Sequence, residues 1–200
     1  MVPLTIDDVL PLEEYVGQRN EHFTAHIRYL DRYRRVRIGP RLTLLFENRQ
    51  TLWFRLQEIL RVARLDDPTR VQHELDWYNQ LLPSRDRLQA ALLISVPENA
   101  GLFTELQFWK DIDGSEVRLM VGKTSIEGRL LTNREADVSI GMAHWIEFVM
   151  SVDQRHLLSD FRSPARFRVE YRGYDHDSQV IAEDVRQSLL DDLMLSDRDP

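Results

Sequence analysis

Apolar positions along the chain change their spacing in a way that separates helices from strands. Thr5 and Asp8 form a capping pattern that opens a short helical turn, closed near Pro11 because proline disfavours a helical residue before it. From Leu12 to about Arg34, Phe23, Ile27 and Leu30 recur at spacings of four and three, the stripe of a helix with one buried face. The period then shortens. Val36 to Ile38 and Leu42 to Phe46, parted by Gly39-Pro40, predict two short strands or one bent strand ending at Glu47. Helical spacing returns from Arg49 to Arg64 through Leu52, Leu56, Ile59, Leu60 and Ala63. Asp66-Asp67-Pro68 then supplies an N-cap and a first-turn proline for a helix to about Leu82, with Val71, Leu75, Tyr78 and Leu82 inward. The two helices make a hairpin inserted between strands.

Leu88 to Val96 is apolar on both parities, which predicts a central strand covered on both faces and ended by Pro97. A helix from Glu98 to about Asp111, the Asp113-Gly114 turn and a strand from Glu116 to Val121 follow, with Gly122-Lys123 and Gly128 punctuating further short strands. Val138, Ile140, Met142, His144, Ile146 and Phe148 share one parity of the next strand and predict a buried face. Ala165, Phe167, Val169 and Tyr171 alternate with Arg166, Arg168, Glu170 and Arg172, the pattern of a half-solvated strand. A last helix, roughly Ser178 to Met194, carries Ile181, Val185, Leu189 and Leu193, and residues 196–200 read as a disordered tail. The expected fold is α+β over residues 1–195 as a single domain. It has a mixed, mainly antiparallel sheet, a helical hairpin insertion, and flanking N- and C-terminal helices.

Composition narrows the setting. Two hundred residues, 42% hydrophobic and 30% charged, suit a folded chain with a sizeable core. No run approaches the roughly 18 apolar residues of a membrane helix, and the first residues are acidic where a signal peptide is basic, so a cytoplasmic location is expected. Cysteine is absent, which excludes disulfides, thiolate catalysis and a cysteine-held cluster or zinc within this chain. The 26 Lys+Arg against 33 Asp+Glu give a net charge of −7, which disfavours nucleic-acid binding by the whole surface. Only Lys110 and Lys123 are lysines, so the positive charge is almost all arginine, suited to bidentate pairing with carboxylates or phosphates.

Several polar groups are candidates for chemistry. Glu47-Asn48-Arg49 stands where a strand meets a helix N-terminus, a place for anions or for a cap with surface ion pairs. Glu58 and Arg61, with Arg64 beyond, lie on that helix. His73 and Asp76 are three apart on one helix face, weak metal candidates without a second histidine in the pattern, and His22 and His26 are a lone pair four apart. His144, on an apolar strand face, is either a satisfied core histidine or part of a pocket. Asp175-His176-Asp177, expected in the loop before the last helix, could orient the histidine or cap the helix, and Asp175 and His176 are weak metal candidates as well. Arg28, Arg32, Arg34, Arg35 and Arg37, interleaved with Tyr29 and Tyr33, form a basic cluster fit for nucleic acid or another anion, for an acidic protein partner, or for complementing a helix dipole. There is no glycine-rich phosphate loop, dinucleotide fingerprint or nucleophile elbow, so no cofactor-binding residue is assigned.

Ile6 to Tyr15 (IDDVLPLEEY), Arg35 to Arg49 (RVRIGPRLTLLFENR), Gln57 to Arg61 (QEILR) and Gln72 to Pro83 (QHELDWYNQLLP) resemble segments of the bacterial domain-of-unknown-function 3501 family. Ser139 to Phe148, with His144 at a family histidine, and Tyr174-Asp175-His176, similar to an Asp-His-Pro motif with Asp177 in the place of proline, extend the likeness. The family has no assigned reaction, so no catalytic residue is transferred. The resemblance implies a redox setting with rubrerythrin-like or iron–sulfur oxidoreductase partners, in which any cluster would belong to the partner. The resulting expectation is a noncatalytic accessory or interaction protein. The alternative is a metal-dependent or small-molecule enzyme built on Glu47, Arg49, Glu58, His73, His144 and His176.

Overall fold

The computed structural model describes residues 1–96, 101–131 and 143–195. The chain begins with a 3₁₀ turn, Ile6–Asp8, capped reciprocally by Thr5 and Asp8, and enters helix α1, Leu12–Tyr29. Residues Leu30–Arg34 continue α1 as a π-helical turn. Strands β1 (Arg35–Ile38) and β2 (Leu42–Phe46) follow, then helices α2 (Arg49–Ala63) and α3 (Pro68–Asn79). Asn48 and Asp67 cap these helices by accepting from Thr51 N and Arg70 N, and Pro68 fills the first turn of α3. Next come β3 (Arg87–Ile94), α4 (Leu102–Trp109), β4 (Val117–Val121), β5 (Thr124–Leu131), β6 (Ala143–Val149), α5 (Val152–Ser159), β7 (Ala165–Tyr171), β8 (Tyr174–Asp177) and α6 (Glu183–Leu195). The fold is α+β.

The eight strands form one sheet in the order β1-β2-β3-β6-β5-β4-β7-β8, and every pairing is antiparallel. An antiparallel bridge between Ile38 and Ser178 joins the two ends of this order, so the sheet curls into a barrel. Tyr174 fastens the seam: its hydroxyl donates to Ile38 O at 2.6 Å and accepts from Arg41 N at 3.0 Å. Gly39, at φ +61, lets the strands meet there, since a Cβ would lie 2.5 Å from Tyr174 Oη and 2.6 Å from His176 Cγ.

Inward residues of the strands fill the barrel. Phe46, Phe148 and Phe167 meet at its centre with ring centroids 5.2 to 6.4 Å apart, each fully buried. Each such ring contributes roughly 1.5–3 kcal/mol by leaving water. Val185, Leu189 and Leu193 of α6 join the same core, as do Trp109 and Ile112 after α4. A second core lies between α2, α3 and the N-terminal segment, with Leu4, Leu52, Leu56, Leu60, Val71 and Leu75. A third, with Leu30, Leu45 and Ala91, seats α1 on the outer face of β2 and β3. The double coverage of β3 is what its continuous apolar run requires.

Several expectations need correction. Phe23 is exposed, and α1 instead buries Tyr15 and His26. Gly128 sits inside β5, where a Cβ would meet Gly114 O and Val117 O at 2.9 Å, so it marks a close backbone approach in place of a strand break. Asp175-His176-Asp177 belongs to strand β8. Helix α6 starts later than expected, at Glu183, because Ser178 N and Ile181 N are committed to Phe167 O and Ala165 O on β7. Helix α5 was not foreseen, although Ser151 and Gln154 form its capping box. The predicted features at Pro97, Glu98, Val138, Ile140, Met142 and residues 196–200 lie outside the described residues.

Candidate functional site

A cavity of about 830 Å³ opens where the N-terminal segment, the end of α1, the start of α2 and α6 converge. Its floor is a buried polar cluster. Arg34 and Asp192, each 2% exposed, form an ion pair. The Arg34 guanidinium also donates to Tyr29 Oη through Nε at 3.1 Å and Nη2 at 2.8 Å, and Asn48 Nδ2 donates to the same oxygen at 2.7 Å. The π-helical turn makes this possible. In an α-helix residues five apart diverge by about 140°, whereas the wider turn returns Arg34 to the side of Tyr29. Burial pushes the Asp192 carboxyl up to about 6, while Arg34 and Asn48 pull it down.

Arg49 Nη2 meets Asp8 Oδ1 at 2.6 Å on the cavity wall, and Trp53 Nε1 donates to Asp8 O at 2.8 Å. Gln50, Ser188 and Asp191 complete the rim. Both charge signs and an aromatic side chain are thus held on helical segments around the opening.

The model of a protein family described as "Protein of unknown function (DUF3501)" matches residues 3–193. The chain belongs to this family. The DUF3501 chain is also similar to a solved structure, a novel protein of unknown function from Burkholderia pseudomallei K96243. That protein is 27% identical, with a TM-score of 0.86, over 96% of this chain and 100% of the other. No curated protein matches the sequence.

The remaining candidates of the DUF3501 chain lie apart. Glu47, 1% exposed, follows β2 and accepts from Thr51 Oγ1 at 2.5 Å and Arg55 Nε at 2.8 Å. It belongs to the outer row with Gln89 and Glu147, whereas His144 shares the parity of Ile146 and Phe148, on the opposite face of the sheet. His176 packs against Tyr174 at the seam, and Glu47 lies at the far end of β2, about 17 Å away at about 3.3 Å per residue. Glu58, on α2, is tied to Tyr15, Arg19 and Arg61. His73 and Asp76 are exposed on α3, where Asp76 accepts from Gln72, and Asp175 accepts from Arg168 at 3.0 Å. His22 stacks on Tyr15 and His26 on Phe54; burial, with Arg55 and Arg35 nearby, takes His26 down to about 4. Among the described residues no three His, Asp or Glu side chains are grouped to hold a metal.

The basic cluster is divided. Arg34 is internal, which corrects its expected place on a binding surface. Arg32 pairs with Asp184 and Arg35 with Asp31, while Arg28 and Arg37 are exposed. Asp192 escaped the sequence reading. The available signal was its position three residues after Leu189, inside the inward stripe of α6. No described helix is long and apolar enough to cross a membrane.

Proposed function

We propose that this DUF3501 protein is a noncatalytic accessory protein that binds a small polar metabolite in the cavity above Arg34 and Asp192. The observation that carries this reading is the buried Arg34-Asn48-Asp192 cluster, with half-buried Tyr29, at the floor of an open cavity of about 830 Å³. Burying an arginine and an aspartate is seldom the most stabilising solution for a core, so their presence beneath an opening favours a binding role. Arg49 and Asp8, paired with each other on the wall at 2.6 Å, place polar groups beside the opening, and a zwitterion of amino-acid size matches them by exchanging its own charges for that pair. Trp53 supplies an apolar face.

The test is a thermal-shift screen of the proteinogenic amino acids and nucleosides at millimolar concentration. At least one compound raises Tm saturably, and Ser188→Trp, which obstructs the cavity from α6, abolishes that rise. A screen without any saturable shift, or one that Ser188→Trp leaves unchanged, overturns the reading.

A second reading keeps the rubrerythrin-like or iron–sulfur partner implied by the family resemblance. Exposed Arg28 and Arg37 favour an acidic partner face. A pull-down at moderate salt recovers such a partner and Arg37→Glu weakens the recovery; capture of no oxidoreductase removes this reading. The metal-dependent enzyme alternative draws no support from the placement of Glu47, Glu58, His144 and His176, and a purified protein carrying stoichiometric transition metal would revive it.

A further inference from the structure

Helix α1 covers Leu45 and Ala91 on the outer face of β2 and β3, and the row of side chains beside them borders a cavity of about 470 Å³. In that row Arg37, Thr43 and Leu93 stand opposite one another on β1, β2 and β3, about 4.8 Å apart from strand to strand. Arg35 lies two residues from Arg37 on the same side of β1, because Val36 and Ile38 turn into the core. The Gly39-Pro40 turn and Ser95 complete the rim, and Ser95 N donates to Arg41 O at 2.7 Å at the end of β3.

The polar side chains of this lining are unspent donors. Among the described residues those of Arg37, Thr43 and Ser95 have no hydrogen bond or ion pair. Thr43 is half-buried while Arg37 and Ser95 are exposed, so these groups are open to a ligand and not sealed in the interior. Asp31 steadies Arg35 through Nε at 3.1 Å. No carboxylate lines the cavity among the described residues. The whole chain carries a net charge of −7, so diffuse attraction does not favour an anion, and the local Arg37 charge is what would hold one. Guanidinium forks and hydroxyls reaching in from three strands match a phosphoryl group, which accepts in three directions, better than a carboxylate with two coplanar oxygens. Pro40 and Leu93 offer apolar contact to an attached carbon skeleton.

We propose that this cavity binds a small phosphate monoester, whose phosphoryl oxygens accept from Arg35, Arg37 and the Thr43 and Ser95 hydroxyls. At about 30 Å³ per water-sized group the space admits roughly sixteen heavy atoms, the size of a sugar phosphate. The site shares no lining residue with the cavity above Arg34 and Asp192 and does not rest on that reading. Arg37 also serves the acidic-partner reading, so the assay contains no second protein.

Titration with glucose 6-phosphate and phenyl phosphate at constant ionic strength, followed by backbone amide NMR, tests the assignment. At least one ester shifts the Gly39 and Thr43 amides saturably, and gluconate and inorganic phosphate bind more weakly than that ester. Arg37→Ala weakens ester binding at least about tenfold and Thr43→Val at least about twofold. Neither substitution costs the fold a hydrogen bond, since neither side chain has one to lose. Arg70→Ala, which removes an exposed arginine of α3, and Ser188→Trp in the first cavity leave the affinity unchanged. Absence of saturable binding by both esters, equal or tighter binding of gluconate or inorganic phosphate, or an equal loss in Arg70→Ala and Arg37→Ala overturns the proposal.

Discussion

Arg34 and Asp192 stand 158 residues apart in the chain and form one ion pair in the interior, each 2% exposed. The pair joins the π-helical end of α1 to α6 and shares its hydrogen bonds with Tyr29 and Asn48. Removing either partner alone leaves an uncompensated charge in a low-dielectric setting. Asp192→Leu is therefore expected to lower stability by roughly 3–5 kcal/mol, as is Arg34→Met, and the double variant Arg34→Met with Asp192→Leu to recover most of that loss. Denaturant unfolding of the four members of this cycle checks it. Near-additive losses would show that the two charges do not compensate each other.

Glu58 gives a pH dependence with a defined sign. Hydrogen bonds from Arg19 first, then Arg61 and Tyr15, bring its carboxyl from 4.5 down to about 2. The unfolded chain therefore holds more protons between those values. The stabilisation is fully present above about pH 4.5 and is lost as pH falls through about 2. Allowing for partial exposure of the cluster, its size is on the order of 2 kcal/mol. Glu58→Gln should be less stable than the parent chain at neutral pH by about that amount and equally stable near pH 2, as read by urea unfolding at each pH.

Arg186 holds the C-terminal end of α5. Its guanidinium donates to Leu158 O at 2.8 Å, Ser163 O at 2.7 Å and Asp160 O at 3.0 Å, while its residue exposure is 3%. Leu158 O lies in the last turn of α5, where no helical N–H follows, and Asp160 O and Ser163 O lie in the segment beyond it, so one side chain ties the helix end to that segment. Arg186→Ala should cost roughly 3 kcal/mol, and Arg186→Lys should restore little, because a single ammonium cannot span the positions of the fork. Amide exchange of α5 should accelerate in both variants.

Gly39 and Gly122 separate backbone strain from steric contact. Both have positive φ, +61 and +57, but only Gly39 faces neighbours, Tyr174 and His176, where a Cβ would stand. Gly122→Ala should cost about 1 kcal/mol. Gly39→Ala should cost at least about 2 kcal/mol more, since β8 must withdraw from β1. Thermal unfolding of the two variants measures the difference.

The helices α2 and α3 and strands β2, β3 and β7 were legible because each carries its own apolar pattern, and the two helices their own caps, at Asn48 and at Asp67-Pro68. β8 was hidden because four residues, Tyr174 to Asp177, carry too few apolar positions to show alternation, and pairing with β7 alone makes them a strand. Barrel closure was likewise invisible, since the Ile38–Ser178 bridge joins segments 140 residues apart by a contact that no local pattern encodes. Within the cavity, Arg34, Asn48 and Arg49 drew notice as charged or capping residues. Their convergence with Asp192 did not, because it depends on the phase shift of a π turn and on where α6 docks. The outer row of Glu47, Gln89 and Glu147 shows the limit of reading parity. Strand alternation places these side chains away from the barrel, and it is Arg55, Arg87 and Arg129 that bury the two carboxylates.

The claim that the Arg34–Asp192 cavity binds a small polar metabolite is tested most directly by side-chain amide and indole NMR during titration with the compound giving the largest thermal shift. The account predicts saturable shifts of the Trp53 indole and Asn48 carboxamide signals, with the Trp109 indole unmoved inside the barrel core. Stationary Trp53 and Asn48 signals at saturating compound would contradict it.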